Sequence, residues 1–374
     1  MKFVVFGLSV SSSWGNGHAT LWRGLSAALS RRGHRVIFFE RDVSYYAATR
    51  DLFELPGGEL ILYGTWKEVM PIARRHLSDC DVAMVTSYCP DAMSASDLVL
   101  DSRASVRSFY DLDTPVTLDL LERDVQVSYV GARGLRDFDL VLSYAGGAAV
   151  SKLSTMLGAR FVAVLFGSAD CRAYHPVRGD ERYRAELSYL GTHSVDRDES
   201  LRRLFVEPAK RFPDRRFVIG GSQYDSGFPW LPNIFFVDHV PCRCHPAFYC
   251  SARLNLNVTR QAMLRNGYCP SGRLFEAAAC GRPILTDQWE GLDSFFEVGR
   301  EILVVGETDD VINALQLPPE KLARIGHAAR ERTLDQHTAD VRARELEEIL
   351  ESFVSHRWRD MAARLGGGAL VCGE

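Results

Sequence analysis

The 374-residue sequence lacks the features that mark membrane and secreted proteins. It contains no apolar run of about 20 residues, the length that a helix needs to cross a bilayer. The amino-terminal segment MKFVVFGLSV is too short and too lightly charged for a secretion signal, and its apolar run predicts a buried first strand. We therefore expect no membrane span and a cytoplasmic location.

An excess of charge of one sign is also missing. Lysine and arginine number 44, aspartate and glutamate number 48, and the formal net charge of −4 provides no general basic surface for nucleic acid. Nine cysteines are scattered without a Cys-x-x-Cys pair, which predicts reduced thiols. A zinc site on Cys242, Cys244, His245 and Cys250 is the alternative, but the spacing lacks the usual ligand pair. We expect no bound metal and no nucleic-acid partner.

The sequence does contain a regular alternation of short apolar runs with helical patterns, which is typical of parallel α/β sheets. The first half predicts strands at 2–9, 36–40, 60–63, 82–86, 106–110, 126–129, 139–142 and 161–164, with a helix at 19–33. The second half predicts strands at 189–194, 215–221, 234–240, 252–258, 283–287 and 301–305, and helices at 197–211, 244–251, 271–280, 291–298 and 308–316. A charged, turn-rich segment at 170–186 separates the two series and indicates two domains.

Residues 267–287, GYCPSGRLFEAAACGRPILTD, combine a small-residue turn, a cation, a helix and a buried strand. The turn ends at Ser271 and Gly272, so the unpaired N–H groups and positive dipole end of the following helix are available to phosphates. Arg273 adds a cation, and Glu276 lies one turn into the helix, within reach of a ribose. The pattern favours a nucleoside diphosphate site, and an ordinary helix-to-strand unit is the alternative.

This segment resembles the donor-binding signature of GT-B glycosyltransferases, particularly the family 4-like group that includes spore-maturation-type enzymes. Those proteins carry Ser-Gly-Arg-x-x-Glu-Ala-x-Ala-Cys-Gly-x-Pro, then a strand and Glu-Gly-Leu, here Glu290, Gly291 and Leu292. The resemblance implies an α/β fold with two Rossmann-like domains that face each other across a cleft. We accordingly expect an acceptor domain at 1–178, a donor domain at 179–342, and at 343–374 a tail and a helix that crosses back to the first domain.

Two segments of the first domain follow predicted strands, where open α/β sheets bind ligands. The loop SSSWGNGHAT holds Gly15, Asn16 and Gly17 in a tight turn and His18 at a helix start, where it could accept a proton. The segment SFYDLDTPVTL holds Asp111 and Asp113 near a strand end. The resemblance places the first loop under the reacting sugar and assigns the aspartates to acceptor or donor-sugar contact. A helix cap or core role for His18 and an Asx turn for the aspartates are the alternatives.

One position departs from the resembling family at the diphosphate. Thr192 stands where those enzymes usually carry an arginine. A diphosphate needs cationic partners, so we expect Arg260 and Arg273 to supply the charge, with Arg197 as a third.

A second departure concerns the acidic pair of many retaining members. Glu276 matches the later, ribose-contacting glutamate, but Tyr268 stands at the earlier acidic position. The nucleotide base is expected near His239 and Val240, because the resembling enzymes hold it with backbone groups at that strand-to-helix loop.

Together these residues predict a glycosyltransferase that moves a sugar from a nucleoside diphosphate sugar to a hydroxyl of a glycan or small molecule, without a cofactor. The resemblance favours retention of configuration, in which the departing phosphate takes the acceptor proton, whereas inversion would need His18, Asp111 or Asp113 as general base. A sugar-nucleotide epimerase of the same fold and a catalytically silent sugar-nucleotide-binding protein are the alternatives. We also expect that a homodimer is possible.

Overall fold

The computed structural model describes residues 1–366, with side chains described up to residue 356. Within that range the chain forms two separate parallel sheets. The predicted tail at 367–374 lies outside the described residues.

The first sheet has seven strands in the order β3-β2-β1-β4-β5-β6-β7. They are β1 (Lys2–Gly7), β2 (Arg35–Arg41), β3 (Glu59–Tyr63), β4 (Val82–Thr86), β5 (Val106–Asp111), β6 (Leu140–Ser143) and β7 (Val162–Val164). The helices of this half are α1 (His18–Arg31), α2 (Ser44–Ala48), α3 (Trp66–Leu77), α4 (Ala92–Leu100), α5 (Thr114–Glu122) and α6 (Ala148–Leu157).

Both faces of this sheet are buried, which explains why its central strands are almost wholly apolar. On β1, Val4 and Phe6 pack into one hydrophobic cluster, while Phe3 and Val5 pack into another. Successive side chains of a strand point to opposite faces, so these two clusters lie on opposite sides of the sheet.

The second sheet has six strands in the order β10-β9-β8-β11-β12-β13. They are β8 (Ala185–Leu190), β9 (Phe217–Gly221), β10 (Ile234–Asp238), β11 (Ala252–Asn257), β12 (Ile284–Thr286) and β13 (Leu303–Val304). The helices are α7 (Asp198–Leu201), α8 (Glu207–Arg211), α9 (His245–Ser251), α10 (Gln261–Asn266), α11 (Gly272–Ala279), α12 (Thr308–Leu315), α13 (Pro319–Gln336) and α14 (Ala339–Gly366). A π-helical turn, Arg202–Val206, joins α7 to α8.

The last helix, α14, crosses back to the first sheet. Ala343, Leu346, Leu350 and Phe353 are buried in the same hydrophobic cluster as Phe3 and other residues of the first half. Arg31 at the end of α1 makes a bidentate pair with Asp340, with both nitrogen-to-oxygen distances 2.9 Å. The carboxy-terminal helix is therefore part of the first domain's core.

The structure corrects several predicted elements. Residues 126–129 form no strand, and residues 291–298 form only a short 3₁₀ turn, Leu292–Ser294, instead of a helix. The second series begins with a strand at Ala185, earlier than the predicted start at 189, and α10 was not predicted at all. The first sheet ends at Val164, so the boundary expected at 178 and 179 falls in the connecting segment, where its position stays a prediction.

None of the helices within residues 1–366 has the length and apolar character that spanning a bilayer requires.

Candidate active site

A cleft of about 540 Å³ lies between the carboxyl edges of the two sheets. The β1–α1 loop and the segments after β4 and β5 line one wall, and the segments after β8, β9, β10 and β11 line the other together with the start of α11. Twelve of the thirteen residues expected in the site line this cleft: Gly15, Asn16, Gly17, His18, Asp113, His239, Val240, Arg260, Ser271, Gly272, Arg273 and Glu276.

The side chain of Glu40, near the end of β2, holds the β1–α1 loop in place. Its buried carboxylate accepts hydrogen bonds from the backbone N–H groups of Val10 (2.7 Å) and Ser11 (2.9 Å) and from the hydroxyls of Ser9 (3.0 Å) and Ser11 (2.5 Å). The side chain of Asn16 then accepts from the N–H of Ala19 at 3.1 Å, where α1 begins. The oxygens of Glu40 therefore position this loop.

His18 and Asp113 form a pair at the floor of the cleft. His18 Nε2 lies 2.7 Å from Asp113 Oδ2, and the Ser87 hydroxyl donates to the same oxygen at 3.2 Å. Burial raises the pKa of Asp113, but the adjacent His18 ring and the hydrogen bonds from His18 and Ser87 outweigh it and lower the pKa overall. His18 Nδ1 is buried and has no partner in the described protein. When Nε2–H donates to the carboxylate, Nδ1 is left as a proton acceptor.

Asp111 does not line the cleft, which corrects its expected place beside His18 and Asp113. Its side chain is fully buried, and Oδ1 accepts from the Asp113 N–H at 3.0 Å and from the Thr117 hydroxyl at 3.1 Å. Burial, with the negative charge of Asp113, raises the pKa of Asp111 to about 7. Asp111 therefore supports the turn that presents Asp113 and cannot contact a substrate directly.

The start of α11 faces the cleft with its polar backbone groups. Ser271 is the residue before the first helical turn, and its side chain makes no capping hydrogen bond. The Leu274 N–H donates to the Ser271 carbonyl oxygen at 3.0 Å, so the N–H groups of Gly272 and Arg273 are the ones available to an anion. Glu276 lies one turn further along, and its Oε2 accepts a hydrogen bond from the Tyr249 hydroxyl at 2.8 Å. A carboxylate can accept several hydrogen bonds, so Oε1 can receive a ligand hydroxyl.

Three arginines, Arg197, Arg260 and Arg273, line the cleft. Arg273 donates from Nε to the carbonyl oxygen of Leu190 and from Nη1 to Asn257 Oδ1 at 2.5 Å. Its Nη2 lies so near Gly191 that a Cβ added there would be 2.8 Å away. Arg273 therefore fills the space beside residues 191 and 192, where the sequence lacks the expected arginine.

The other two arginines are tied to the cleft wall. Arg197 donates from Nη1 to the Tyr189 hydroxyl at 3.0 Å and to the Thr192 carbonyl oxygen at 3.2 Å. Arg260 pairs through Nε with Asp196 at 3.1 Å. Both line the cleft, so three guanidinium groups in all contribute positive charge to its lining.

Strained backbone is concentrated at the cleft. Five described residues other than glycine have positive φ, and Tyr88 (58°), Gln223 (66°) and His239 (48°) line the cleft itself. The His239 N–H donates to the Gly221 carbonyl oxygen at 2.7 Å, which holds its loop against β9. Such conformations cost on the order of 1–3 kcal/mol each and cluster where ligands bind.

Tyr268 (φ 44°) stands where many members of the resembling family carry the earlier acidic residue. Here it connects the two domains. Its carbonyl oxygen accepts from the Gly146 N–H of the first domain at 2.9 Å, and its N–H donates to the Glu290 carbonyl oxygen at 2.7 Å. Its ring packs so closely on Gly147 and Gly291 that a Cβ there would lie 2.8 and 2.4 Å from ring carbons. The sequence alone gives no sign that Gly147 and Gly291 contact this ring.

In the described part of the chain, no group of three or more His, Cys, Asp and Glu side chains is arranged to hold a metal ion. His245, the histidine of the Cys242 to Cys250 segment, uses Nε2 on the Val240 carbonyl oxygen (2.9 Å) and Nδ1 on the Tyr174 hydroxyl (3.1 Å).

Comparison with known proteins agrees with this architecture. Residues 197–348 match a family model described as glycosyl transferase-like. Sucrose-phosphate synthase from Thermosynechococcus elongatus is 13% identical, covers 95% of this chain and 100% of its own, and superposes with a TM-score of 0.67. No curated protein sequence matches the chain.

Two further solved structures contain nucleotide sugars. HepE of Anabaena in complex with UDP-glucose is 12% identical, with coverage of 94% of this chain and 100% of its own and a TM-score of 0.66. An alpha-glucosyltransferase in complex with UDP-glucose and DNA containing an abasic site is 13% identical, with coverage of 94% and 99% and a TM-score of 0.72. The predicted α/β fold is confirmed: the chain has the two-domain fold of GT-B glycosyltransferases.

Proposed function

We propose that the protein transfers a sugar from a nucleoside diphosphate sugar to an acceptor hydroxyl, with retention of configuration and without a metal ion. The proposal rests on one observation: the two walls of the cleft carry different kinds of chemical groups. The start of α11, Glu276 and three arginines suit a nucleoside diphosphate, and the His18–Asp113 pair faces them from the first domain.

UDP is the nucleotide that we propose for the donor. HepE and the alpha-glucosyltransferase were both solved with UDP-glucose, and each aligns with more than nine-tenths of this chain. The ribose would hydrogen-bond to Glu276, and the base would lie at the strained loop of His239 and Val240. The diphosphate would then lie between the N–H groups of α11 and the guanidinium of Arg273.

The reaction breaks the bond between the anomeric carbon and the diphosphate oxygen, and the diphosphate leaves with the electron pair. The arginines and helix N–H groups stabilise the charge that develops on it. The acceptor oxygen bonds to the anomeric carbon on the face that the diphosphate leaves, and its proton passes to a diphosphate oxygen. In this route His18 binds a hydroxyl of the transferred sugar. In an inverting route it would be the general base, held by Asp113.

Calorimetry with UDP and with uridine tests the donor assignment. Removal of a phosphate-binding cation should weaken binding of the charged ligand only. We expect Arg273→Ala and Arg260→Ala to lower the affinity for UDP about tenfold or more while uridine binding changes little. Arg211→Ala, an exposed arginine of α8 paired with Asp309, is the matched control. Equal losses for both ligands would place the diphosphate elsewhere.

Activity assays test the chemistry separately. We expect slow UDP release from UDP-glucose without acceptor, and an NMR spectrum of a transfer product whose anomeric configuration matches that of the donor. A product of opposite configuration would assign the base role to His18. Release of an epimerised UDP-sugar, or no turnover with intact UDP binding, would contradict glycosyl transfer.

We further propose that the enzyme works in the cytoplasm. All eight cysteines within the described side chains are free thiols, which suits a reducing compartment. The acceptor class and the possible homodimer stay predictions.

A further inference from the structure

A second cavity, of about 680 Å³, lies at the opposite edge of the second sheet, at the amino ends of β8, β11 and β12. The segment that connects the two domains covers part of it, at Pro176 and Val177. Two cysteines that play no part in the cleft, Cys250 and Cys280, line its wall. Cys250 lies near the end of α9, and Cys280 immediately follows α11.

The two cysteines contact each other. Cys250 Sγ lies 3.8 Å from the carbonyl oxygen of Cys280. The Val177 N–H donates to Cys250 Sγ at 3.4 Å. Cys250 is partly exposed, whereas Cys280 is buried behind it.

The surroundings favour a thiolate at Cys250. The hydrogen bond from the Cys280 thiol, the Val177 N–H and the nearby Arg282 and His175 outweigh burial and lower the pKa of Cys250. The same hydrogen bond, with burial, raises the pKa of Cys280. A reactive thiolate on the cavity side with a protonated thiol behind it is the arrangement of an attacking and a resolving cysteine.

We propose that Cys250 and Cys280 form a reversible disulfide when the protein meets a small anionic disulfide such as glutathione disulfide. The Cys250 thiolate attacks one sulfur of the oxidant, which forms a mixed disulfide and releases one thiolate. Cys280, once its proton is lost to solvent, attacks the Cys250 sulfur, which closes the protein disulfide and releases the second thiolate. The oxidant gains two electrons and the two cysteines lose them. This inference is independent of the proposed glycosyl transfer.

The positive charge of the cavity lining favours an anionic oxidant. Arg184, Arg253, Arg282 and Arg330 line it, with Glu186 as the one acidic residue among its described lining. Glutathione disulfide carries carboxylates that such a surface attracts. The cavity volume of about 680 Å³ is that of a small-molecule site.

The proposed disulfide would connect the two helices that build the donor side of the cleft. Tyr249, next to Cys250, donates to Glu276, which lies four residues before Cys280 on the other helix. The cross-link therefore ties α9 to α11 beside the Tyr249–Glu276 hydrogen bond. It also removes the thiolate that accepts from Val177 of the connecting segment.

The test uses the full-length protein, which is first reduced and then freed of reductant. It is incubated with glutathione disulfide and quenched with acid. Tandem mass spectrometry of its tryptic peptides then maps the disulfides. We expect a Cys250–Cys280 disulfide that dithiothreitol reverses. In Cys280→Ser the glutathione adduct should persist on Cys250, and in Cys250→Ser neither product should form. Cys244→Ser is the matched control and should still form the disulfide, which also fixes the assignment because trypsin leaves Cys244 and Cys250 in one peptide.

The wild-type protein alone decides the outcome, so a variant that fails to fold does not block the test. A persistent glutathione adduct on wild-type Cys250, a disulfide between other cysteines, or no modification of Cys250 at a glutathione disulfide concentration that oxidises a model dithiol would each overturn the proposal.

Discussion

The proposed ribose contact of Glu276 depends on its position one turn into α11. The cleft contains both the free N–H groups at the start of α11 and this carboxylate one turn later, so a diphosphate and its ribose can be bound together. We predict that Glu276→Ala weakens UDP binding by about 1–3 kcal/mol, the range for lost hydrogen bonds to a charged group. Calorimetry measures this loss, and Glu297→Ala, an exposed glutamate outside the cleft, should bind UDP normally. Unchanged affinity in a folded Glu276→Ala protein would remove Glu276 from the site.

His18 is expected to act on the sugar or acceptor and not on the nucleotide. Its Nε2 is paired with Asp113, and its Nδ1 has no partner in the described protein. We predict that His18→Ala lowers kcat at least tenfold, about 1.4 kcal/mol of transition-state free energy, while UDP affinity stays nearly constant. Steady-state kinetics and calorimetry on one preparation measure both quantities. A purely structural histidine would give a lower Tm with full activity per folded molecule, and the exposed His327→Ala should change neither.

Asp111 should make stability depend on pH. Its pKa is raised to about 7 by burial and by Asp113, so folding favours the protonated carboxyl. The associated stability is present below the unfolded pKa near 4 and is lost as pH rises through about 7. We predict that Asp111→Asn, which keeps a neutral acceptor for the Asp113 N–H, gains Tm relative to wild type between pH 5 and pH 7 and that the gain then levels off.

Thermal melts across that pH range test this prediction, with Asp101→Asn at an exposed helix end as the control. A difference between Asp111→Asn and wild type that does not vary with pH would mean that the carboxyl is not protonated in the folded protein.

The residue types in the cleft were predictable, but their pairing was not. The sequence indicated His18 and Asp113 separately, because each follows a predicted strand, yet 95 positions separate them and no local pattern links them. Asp111 and Asp113 look equivalent in the sequence, and only the turn after β5 decides which one is buried. The role of Glu40 could not be predicted, because two of its partners are backbone N–H groups, which carry no sequence signal, and its two serine partners lie about 30 positions away.

At the scale of the elements, apolar runs predicted most strands but not every one correctly. Residues 126–129 contain Val127 and Tyr129, which are buried as the pattern implies. They pack against the first sheet without joining it, and the Tyr129 hydroxyl hydrogen-bonds to Thr117 at 2.8 Å. A short apolar run thus predicts burial more reliably than it predicts strand pairing, since pairing depends on partners elsewhere in the chain.

The last helix offers an element-scale test because its buried face belongs to the other domain's core. Leu346 is 1% exposed and packs in the cluster that contains Phe3. We predict that Leu346→Ala lowers the free energy of unfolding by about 2–5 kcal/mol, the usual range for a buried leucine. Glu348→Ala, two residues away and well exposed, should change stability by less than about 0.5 kcal/mol. Urea denaturation measures both, and equal effects would mean that α14 is only loosely attached.

For the whole molecule, the order of strands and helices predicted two Rossmann-like halves, but the contacts between them come only from the structure. The Gly146–Tyr268 hydrogen bond, the pair between Asp119 and Arg265, and the helix α14 are among the contacts that connect the halves. These contacts use residues that look like ordinary loop or helix positions in the sequence. The cleft is therefore bounded by two domains that are mechanically coupled.

This coupling leads to a prediction for hydrogen exchange. UDP should contact the second domain chiefly, yet its binding energy should stabilise both halves if they unfold together. At a UDP concentration 100 times the Kd, the gain is about 2.7 kcal/mol. We predict that UDP slows amide exchange to a similar degree in peptides from β5 of the first sheet and β11 of the second, as measured by mass spectrometry. Leu346→Ala, at a core position that does not line the cleft, should speed exchange in both strands. Protection by UDP that is confined to β11 would show instead that the two domains unfold independently.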